Sequence, residues 1–458
     1  MIRSGRGSGT RLRPGRSGAL SYVFNVAVLC CLYVRGVRIE LRNIGPINRA
    51  DIELDGFAIL VGPNASGKTT LSTVCYAVLL SHRRAESYVT RRWVDRVGSL
   101  DQTRLDLGDV SDAFSAAFRD QLADELKRCF TPDLSMLPRR GRTGNGSAPR
   151  IVVSDDPAGD ESWKLAFRIR DGALVLDSRY PGHLPRQFRA LSGLATSEPR
   201  RGYAGRRSVG RVTNPIYFPA ARSGYVQMQS VISTLLVAAL GRGLYGEISV
   251  GKISGVAADF LRFLANMDPS SESRIPTRTA ERLEGELIHG HVRLRSSEAS
   301  MVIEYAPDDV DEYWMMDSAA TSIAEIAPLL LYLRHHAKAR DLLFIDEPEA
   351  HLHPENQLIL ASVLLELSGQ IRGMVVGTHS EFFVTGISNG LLRRRVEHAT
   401  GAQVSLYELA PAEKTGGYVT ERSEISPGSG FAVEQFTDVA EGALDEAEEL
   451  FVQSHEGD

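Results

Sequence analysis

The sequence predicts an α/β fold, a mixed or parallel sheet carrying a phosphate-binding loop, and three observations predict it. Gly62-Pro63-Asn64-Ala65-Ser66-Gly67-Lys68-Thr69 is a full match to G-x-x-x-x-G-K-[ST], the phosphate loop of nucleoside triphosphatases. It is preceded by the apolar run Phe57 to Val61 and followed by Leu71, Val74, Cys75, Val78 and Leu79 at i, i+3, i+4, i+7 and i+8. The loop therefore lies between a buried strand and an amphipathic helix, the context its chemistry requires. Far downstream, Leu342 to Ile345 form an apolar run suited to a parallel strand covered on both faces, and Asp346 and Glu347 close it.

In chain order, residues 1–36 carry six arginines, no lysine and no acid, and Ala19 to Val34 is mostly apolar over sixteen residues. That run is short of the roughly 20 residues a spanning helix needs. It is also followed by no small-x-small cleavage site. The reading is a non-core N-terminal extension outside the fold, as a start codon assigned too early would produce; a membrane anchor on a cytoplasmic enzyme and a buried helix are the alternatives. Val37 to Leu41 and Ala50 to Leu54 alternate like half-buried strands around the turn signal Gly45-Pro46, which predicts a hairpin just ahead of the phosphate-loop strand.

In the loop, glycines let the backbone curl so that several N–H groups point at a phosphate near the positive end of the following helix. Residues Gly62 to Thr70 form this cradle. Lys68 reaches the β- and γ-phosphates and the Thr69 hydroxyl is placed for Mg²⁺. Between Arg84 and Arg211 the pattern gives a helix over Asp109 to Phe130 and strands at Ile151 to Val153, Trp163 to Ile169 and Ala173 to Leu176. Ser197 to Arg211 holds Arg200, Arg201, Arg206, Arg207 and Arg211, read as a solvated excursion or a nucleic-acid contact. Aromatic side chains for base stacking are lacking there apart from Tyr203.

Ile216 to Phe218 is strand-like and ends at Pro219, delivering Arg222 to a loop, where it either pairs with an acid and backbone carbonyls or contacts phosphate. Helical patterns follow over Val226 to Leu244 and Gly255 to Met267, then strand-like pieces between Leu283 and Trp314. Ser318 to Ser322 opens a helix towards Lys338, its hydroxyls suited to capping and Pro328 to a kink. At Asp346-Glu347 the two carboxylates divide the work, Asp346 on Mg²⁺ and Glu347 polarising the attacking water. His351 and His353 stand at i, i+2 without a third ligand, so zinc is not predicted. Met374 to Gly377 is a further buried strand, leading to His379.

Composition sets limits on function. The 458 residues have room for two or three domains. A net charge of −5 becomes −11 once the six arginines of the first 36 residues are set aside, so nucleic acid would need a local basic patch. Cys30, Cys31, Cys75 and Cys129 include no C-x-x-C pair, which fits a reducing cytoplasm and argues against structural zinc.

The string VRIELRNIGPINRADIELDGFAILVGPNASGKTTL resembles the amino-terminal lobe of ABC-type ATPases of the chromosome-maintenance and recombination-repair group, especially the bacterial overcoming-lysogenization-defect (OLD-like) ATPases. The run Asp346 to Gln357, DEPEAHLHPENQ, resembles the same ATPases. The resemblance covers residues 37–82, 213–224 and 317–390. It implies an ABC-type head with a helical arm inserted between two lobes, in segments 1–36, 37–82, 83–316 and 317–458. It implies ATP and Mg²⁺ as ligands and an ATP-dependent homodimer, with His351 and His353 at the dimer interface. His379 corresponds to the group's switch histidine on the γ-phosphate. Thr321-Ser322 stands where relatives carry the serine signature that meets the γ-phosphate of the opposite subunit, 24 positions before Asp346.

The glycine-rich LSGGQ of transporter motors is missing, and no magnesium-contacting glutamine is assigned. OLD-like nucleases end in a Toprim domain, whereas the 79 residues after His379 contain no Asp-x-Asp. The expectation is an ATPase head that acts with DNA or with a partner nuclease or effector, in DNA repair or antiphage defence, and not at a membrane. The alternative is a slow-turnover, nucleotide-gated module regulating a separate nuclease or toxin.

Overall fold

The computed structural model describes residues 37–54, 56–99, 107–130, 132–138, 148–155, 164–179, 215–228, 253–273, 275, 278–296, 301–396, 403–413, 415–425, 430–431 and 433. The expectations for residues 1–36, for the arginine-rich segment 197–211 and for most of the helix over 226–244 lie outside these residues.

The elements run β1 (Val37–Ile44), β2 (Ile47–Leu54), β3 (Gly56–Val61), α1 (Lys68–Ser99), α2 (Leu107–Cys129), β4 (Arg150–Asp155), β5 (Lys164–Arg170), β6 (Ala173–Arg179) and β7 (Ile216–Phe218). They continue with α3 (Arg222–Gln227), α4 (Gly255–Ala265), α5 (Arg278–Arg282), β8 (Gly290–Ser296), β9 (Met301–Pro307), β10 (Trp314–Met315) and α6 (Thr321–His335). The last are β11 (Leu342–Asp346), α7 (Pro354–Ser368), β12 (Gly373–Gly377), α8 (Glu381–Val396), β13 (Val404–Pro411) and β14 (Tyr418–Ile425). Leu283–Ile288, which the pattern included with the strands, is a π-helical turn.

Eleven strands make one sheet in the order β6-β5-β4-β1-β2-β14-β13-β3-β12-β11-β7. Strands β3, β12, β11 and β7 are mutually parallel, and β13 joins β3 in the same sense. Their side chains alternate between two cores. Phe57, Ile59, Val61, Leu343, Ile345, Met374 and Val376 point to a core shared with α6, α7 and α8. Ala58, Leu60, Leu342, Phe344 and Val375 point to the other, shared with α1 and α2. A strand buried on both faces carries a continuous apolar run, as β11 does.

The remaining strands form an antiparallel wing, in which β1 pairs with β2 and β4, β4 with β5, and β5 with β6. Here alternation is clean. Val37, Ile39, Leu41, Ile151, Val153, Leu165 and Phe167 face the α1/α2 core, and the other face carries charged residues around the buried Val152, Ser154 and Ala166. The hairpin β1–β2 forms as expected but does not sit beside β3. Strands β13 and β14 lie between them, with β14 parallel to β2. The hairpin nevertheless reaches the phosphate loop through its turn, since a Cβ on Gly67, at φ +108°, would come within 2.8 Å of Pro46 Cγ and 2.9 Å of Ile47 Cγ1. Only glycine allows both that backbone and that approach. A separate three-stranded sheet, β10-β9-β8, completes the described strands.

Candidate functional site

Parallel strands deliver their following residues to one edge, and four of them do so here. After β3 comes the loop at Gly62, after β11 comes Glu347, after β12 come Thr378 and His379, and after β7 the chain turns into Arg222. Backbone bonds lock the strand ends together: Thr378 N–H donates to Leu60 O at 3.0 Å and Glu347 N–H to Gly377 O at 2.7 Å. Three non-glycine residues at this edge hold left-handed backbones, Ala65 at φ 61°, Ala221 at φ 57° and Glu347 at φ 47°. Such conformations cost energy and persist where surrounding contacts enforce them, which marks functional loops.

The predicted loop, carboxylates and histidine meet at this edge. Lys68 donates to the carbonyls of Gly62 at 2.6 Å and Pro63 at 3.0 Å, and its Nζ lies 3.1 Å from His379 Nδ1. The other ring nitrogen, Nε2, is 3.5 Å from Glu347 Oε1. An ammonium can only donate, so a charged Lys68 makes Nδ1 the acceptor and leaves the Nε2 proton facing Glu347. Burial lowers the Lys68 ammonium to about 8, partly offset by Glu347, Glu349 and Asp346. Burial and the neighbouring Lys68 also push the His379 imidazole down, with Glu347 opposing. Of the loop residues, Pro63, Asn64, Ala65 and Thr69 are exposed, whereas Ser66 is fully buried.

Asp346 is the buried member, and burial raises its carboxyl to about 6 against hydrogen bonds from Tyr217 and Thr69. Tyr217 OH donates to Oδ2 at 2.6 Å. The other oxygen, Oδ1, is buried without a hydrogen-bond partner. A buried carboxylate oxygen with no donor, on a side chain bonded to the Thr69 hydroxyl, fits a divalent cation. No cluster of three or more His, Cys, Asp or Glu among the described residues could hold a metal. Mg²⁺ takes one or two protein oxygens together with water and substrate phosphates, so it needs no such cluster.

Other expected residues are placed differently. Thr321 is exposed and Ser322 half-buried at the start of α6, but the cap is Ala320 and no side chain bonds the helix end, so the capping reading of these hydroxyls is corrected. Neither makes a hydrogen bond to the phosphate loop of its own chain among the bonds described. Pro328 lies inside α6. His351 is exposed, and exposed His353 caps α7 through a 3.4 Å bond to Glu355 N–H. Arg222 is 2% exposed and pairs with Glu325 at 2.9 Å. It also donates to the carbonyls of Pro219, Asp346 and Glu347 at 3.1, 2.8 and 3.2 Å. Of its two readings, the structure gives the pairing one: Arg222 ties the end of β7 to the end of β11.

Sequence reasoning missed two supporting side chains. Buried Glu349 accepts from Thr378 Oγ1 at 2.7 Å and from the His379 N–H at 2.9 Å, which fixes the residue that carries the imidazole. Its place in the quoted DEPEAHLHPENQ run was the available signal. Tyr217 gave none, since its bond to Asp346 spans 129 positions.

A phosphate loop after β3 and a carboxylate-ended strand in the parallel half of one mixed sheet define the P-loop nucleoside triphosphatase class. Within that class, residues 311–384 match the family model described as the AAA ATPase domain, a stretch holding Thr321, Ser322, Asp346, Glu347 and His379. The match supports ATPase chemistry at the level of a family. Among solved structures the chain is similar to an Smc head bound to the C-winged helix domain of ScpA, at 13% identity, 86% of this chain and 98% of that one, TM-score 0.42. It is also similar to an Smc head with an extended coiled coil bound to the C-terminal domain of ScpA, derived from Pyrococcus furiosus, at 12% identity, 89% and 99% coverage, TM-score 0.40. A third is the SMC head domain from Thermotoga maritima, at 12% identity, 86% and 99% coverage, TM-score 0.34. These overlaps are too loose to carry a statement about chemistry. No curated protein matches the chain.

Proposed function

We propose that this chain is an ABC-type ATPase head that binds ATP with Mg²⁺, hydrolyses it, and dimerises around the nucleotide. The observation that carries the reading is the convergence of Lys68, His379 and Glu347, with Thr69 bonded to Asp346 beside them, from three chain segments onto one sheet edge. Lys68 would exchange its carbonyl partners for the β- and γ-phosphates. Thr69 and Asp346 would hold Mg²⁺, which when bound neutralises charge on the transferring phosphoryl group. Glu347, with its side chain 43% exposed, is accessible to water and would orient the attacking molecule. His379, held by Glu349, would contact the γ-phosphate, while exposed Thr321 and half-buried Ser322 would face nucleotide on the opposite subunit.

By analogy with the OLD-like ATPases that the sequence resembles, the setting is DNA repair or antiphage defence with a partner nuclease or effector. Turnover and ATP binding by the purified chain test the core of the reading. Lys68→Ala is expected to lose ATP binding in calorimetry. Glu347→Gln should keep binding, lose turnover by roughly 10²–10⁴-fold, and collect as an ATP-bound dimer on size exclusion. Full ATP affinity in the lysine variant would overturn the loop assignment, and a monomeric glutamine variant that still turns over would overturn the dimer mechanism.

A further inference from the structure

A cavity of about 490 Å³ lies beside the start of β7, at the end of the parallel strands away from the phosphate loop. Its size falls within the roughly 300–1,000 Å³ of small-molecule sites. Strand β7 ends the large sheet, and one face each of α1 and α4 walls the space beyond it. Leu80, Ile216 and Tyr217 supply a buried apolar surface there, and the half-buried rings of Phe263 and His336 stand edge to face beside it, 5.3 Å apart. Tyr217 is also the donor to Asp346 Oδ2, so an occupant of the cavity would lie one side chain from that carboxylate.

Cations dominate the rest of the lining. Arg83, Arg84, Arg262 and Lys338 meet a single carboxylate, Asp259, on a chain whose overall charge is −5. Asp259 is already committed: it accepts from Tyr76 OH at 2.8 Å and pairs with Arg262 at 3.1 Å and with Arg128. Arg84 is held by Glu125. Lys338 has no such carboxylate among the described residues, while its backbone N–H, bonded to Asp341 Oδ2 at 2.9 Å, fixes the residue in place. Burial and Lys338 push the His336 imidazole down, with Asp341 opposing, so at neutral pH the ring is uncharged and keeps one N–H to donate. Cavities that stay empty in proteins are apolar, whereas this one is rimmed with charge.

We propose that this cavity is a second ligand site, separate from the phosphate loop, for a phosphate monoester carried on a flat apolar body, the chemistry of a nucleoside monophosphate. Guanidinium forks bond phosphate oxygens in pairs, and the Lys338 ammonium adds a point charge beside them. Leu80, Ile216 and Phe263 would cover the flat body. One phosphate suffices for such a site, whereas the phosphate loop is built around β- and γ-phosphates. The cations ring a concave space rather than lie along a face, which suits a small molecule rather than a polymer.

The proposal does not rest on the ATPase reading, and its test silences the phosphate loop with K68A. GMP is titrated into that variant by calorimetry, with guanosine and inorganic phosphate as separate probes. GMP should bind saturably, and each of the other two at least about tenfold more weakly, because each lacks half of the contacts. Adding R262Q/K338Q should weaken GMP by at least about tenfold through the loss of two charged donors. Adding K338A alone should weaken it by at least about threefold and melt no lower than its parent, so it carries the test if the double change impairs folding. The proposal fails if GMP shows no saturable binding at millimolar concentration, or if K338A leaves its affinity unchanged. It fails too if guanosine or inorganic phosphate matches GMP. A wild type that hydrolyses no ATP would overturn the ATPase reading and leave this one standing.

Discussion

The two halves of the large sheet are built from similar strands and solve different problems. In the parallel half, β3, β11, β12 and β7 are covered on both faces, and everything polar is driven to the strand ends. In the antiparallel wing, one face packs on α1 and α2 and the other carries charged side chains, several of them in ion pairs, around a few buried small or apolar ones. Burial on both sides gives the parallel half a low-dielectric edge where a single charge changes behaviour, as the raised Asp346 carboxyl and lowered Lys68 ammonium show. On the solvated face of the wing, charges are screened and a surplus of arginines is tolerated. The same residue type, arginine, is a buried strut at position 222 and a surface cation at position 42.

Replacing the buried strut should have the largest effect on stability. Arg222→Ala leaves Glu325, fully buried, without its counter-charge and strips donors from the carbonyls of Asp346 and Glu347. Breaking such a pair typically costs about 3–5 kcal/mol. Urea unfolding of the ligand-free protein measures it, and a loss below about 1 kcal/mol would mean that the parallel edge is as forgiving as the surface.

A smaller effect of opposite sign is expected at Asp346. Its folded-state carboxyl, raised to about 6 from 3.8, binds more protons than the unfolded chain between those values. Stability therefore falls as pH rises through that window and stays lowered above it, because the buried charged form is penalised. Asp346→Asn removes the penalty and should raise the melting point of the metal-free protein at pH 7, by no more than about 3 kcal/mol in stability. The gain should vanish near pH 4, where both side chains are neutral in the fold. A variant less stable at every pH would show that the bonds from Tyr217 and Thr69 need the charge.

The division between halves was only partly legible in the sequence. The loop at Gly62 to Thr69, the run closed by Asp346-Glu347 and the placement of His379 after a buried strand are contiguous patterns, and all three appear at the expected edge. Strands β4, β5 and β6 showed their alternation as well. The insertion of β13 and β14 between the hairpin and β3 did not show, because Val404 pairs with Phe57 across a separation set by tertiary packing rather than by local preference. A row of four arginines that register aligns across β2, β1, β4 and β5 was invisible for a related reason. Arg42, Arg49, Arg150 and Arg168 each read as an ordinary outward position, and only strand register aligns them. Likewise, the hydroxyls before α6 looked like caps because local sequence cannot show that Ala320 takes the cap position.

The smallest expected effect lies on the wing and tests whether its charged face is open to solvent. Arg38 donates to Asp51 through Nε at 2.7 Å and through a second nitrogen to the other carboxylate oxygen, a bidentate pair with side chains 38% and 29% exposed. The geometry alone would suggest a strong interaction. Solvent argues otherwise, since exposed pairs lose most of their attraction to water and salt and typically couple by about 0.2–1 kcal/mol. A double-mutant cycle with Arg38→Ala, Asp51→Ala and the combined variant isolates the pair from whatever else each side chain touches. The coupling should be at most about 1 kcal/mol and should shrink as salt is raised, in contrast to the loss expected at Arg222. A coupling above about 2 kcal/mol that salt leaves unchanged would mean that this face is covered in solution, and would remove the contrast between the two halves of the sheet.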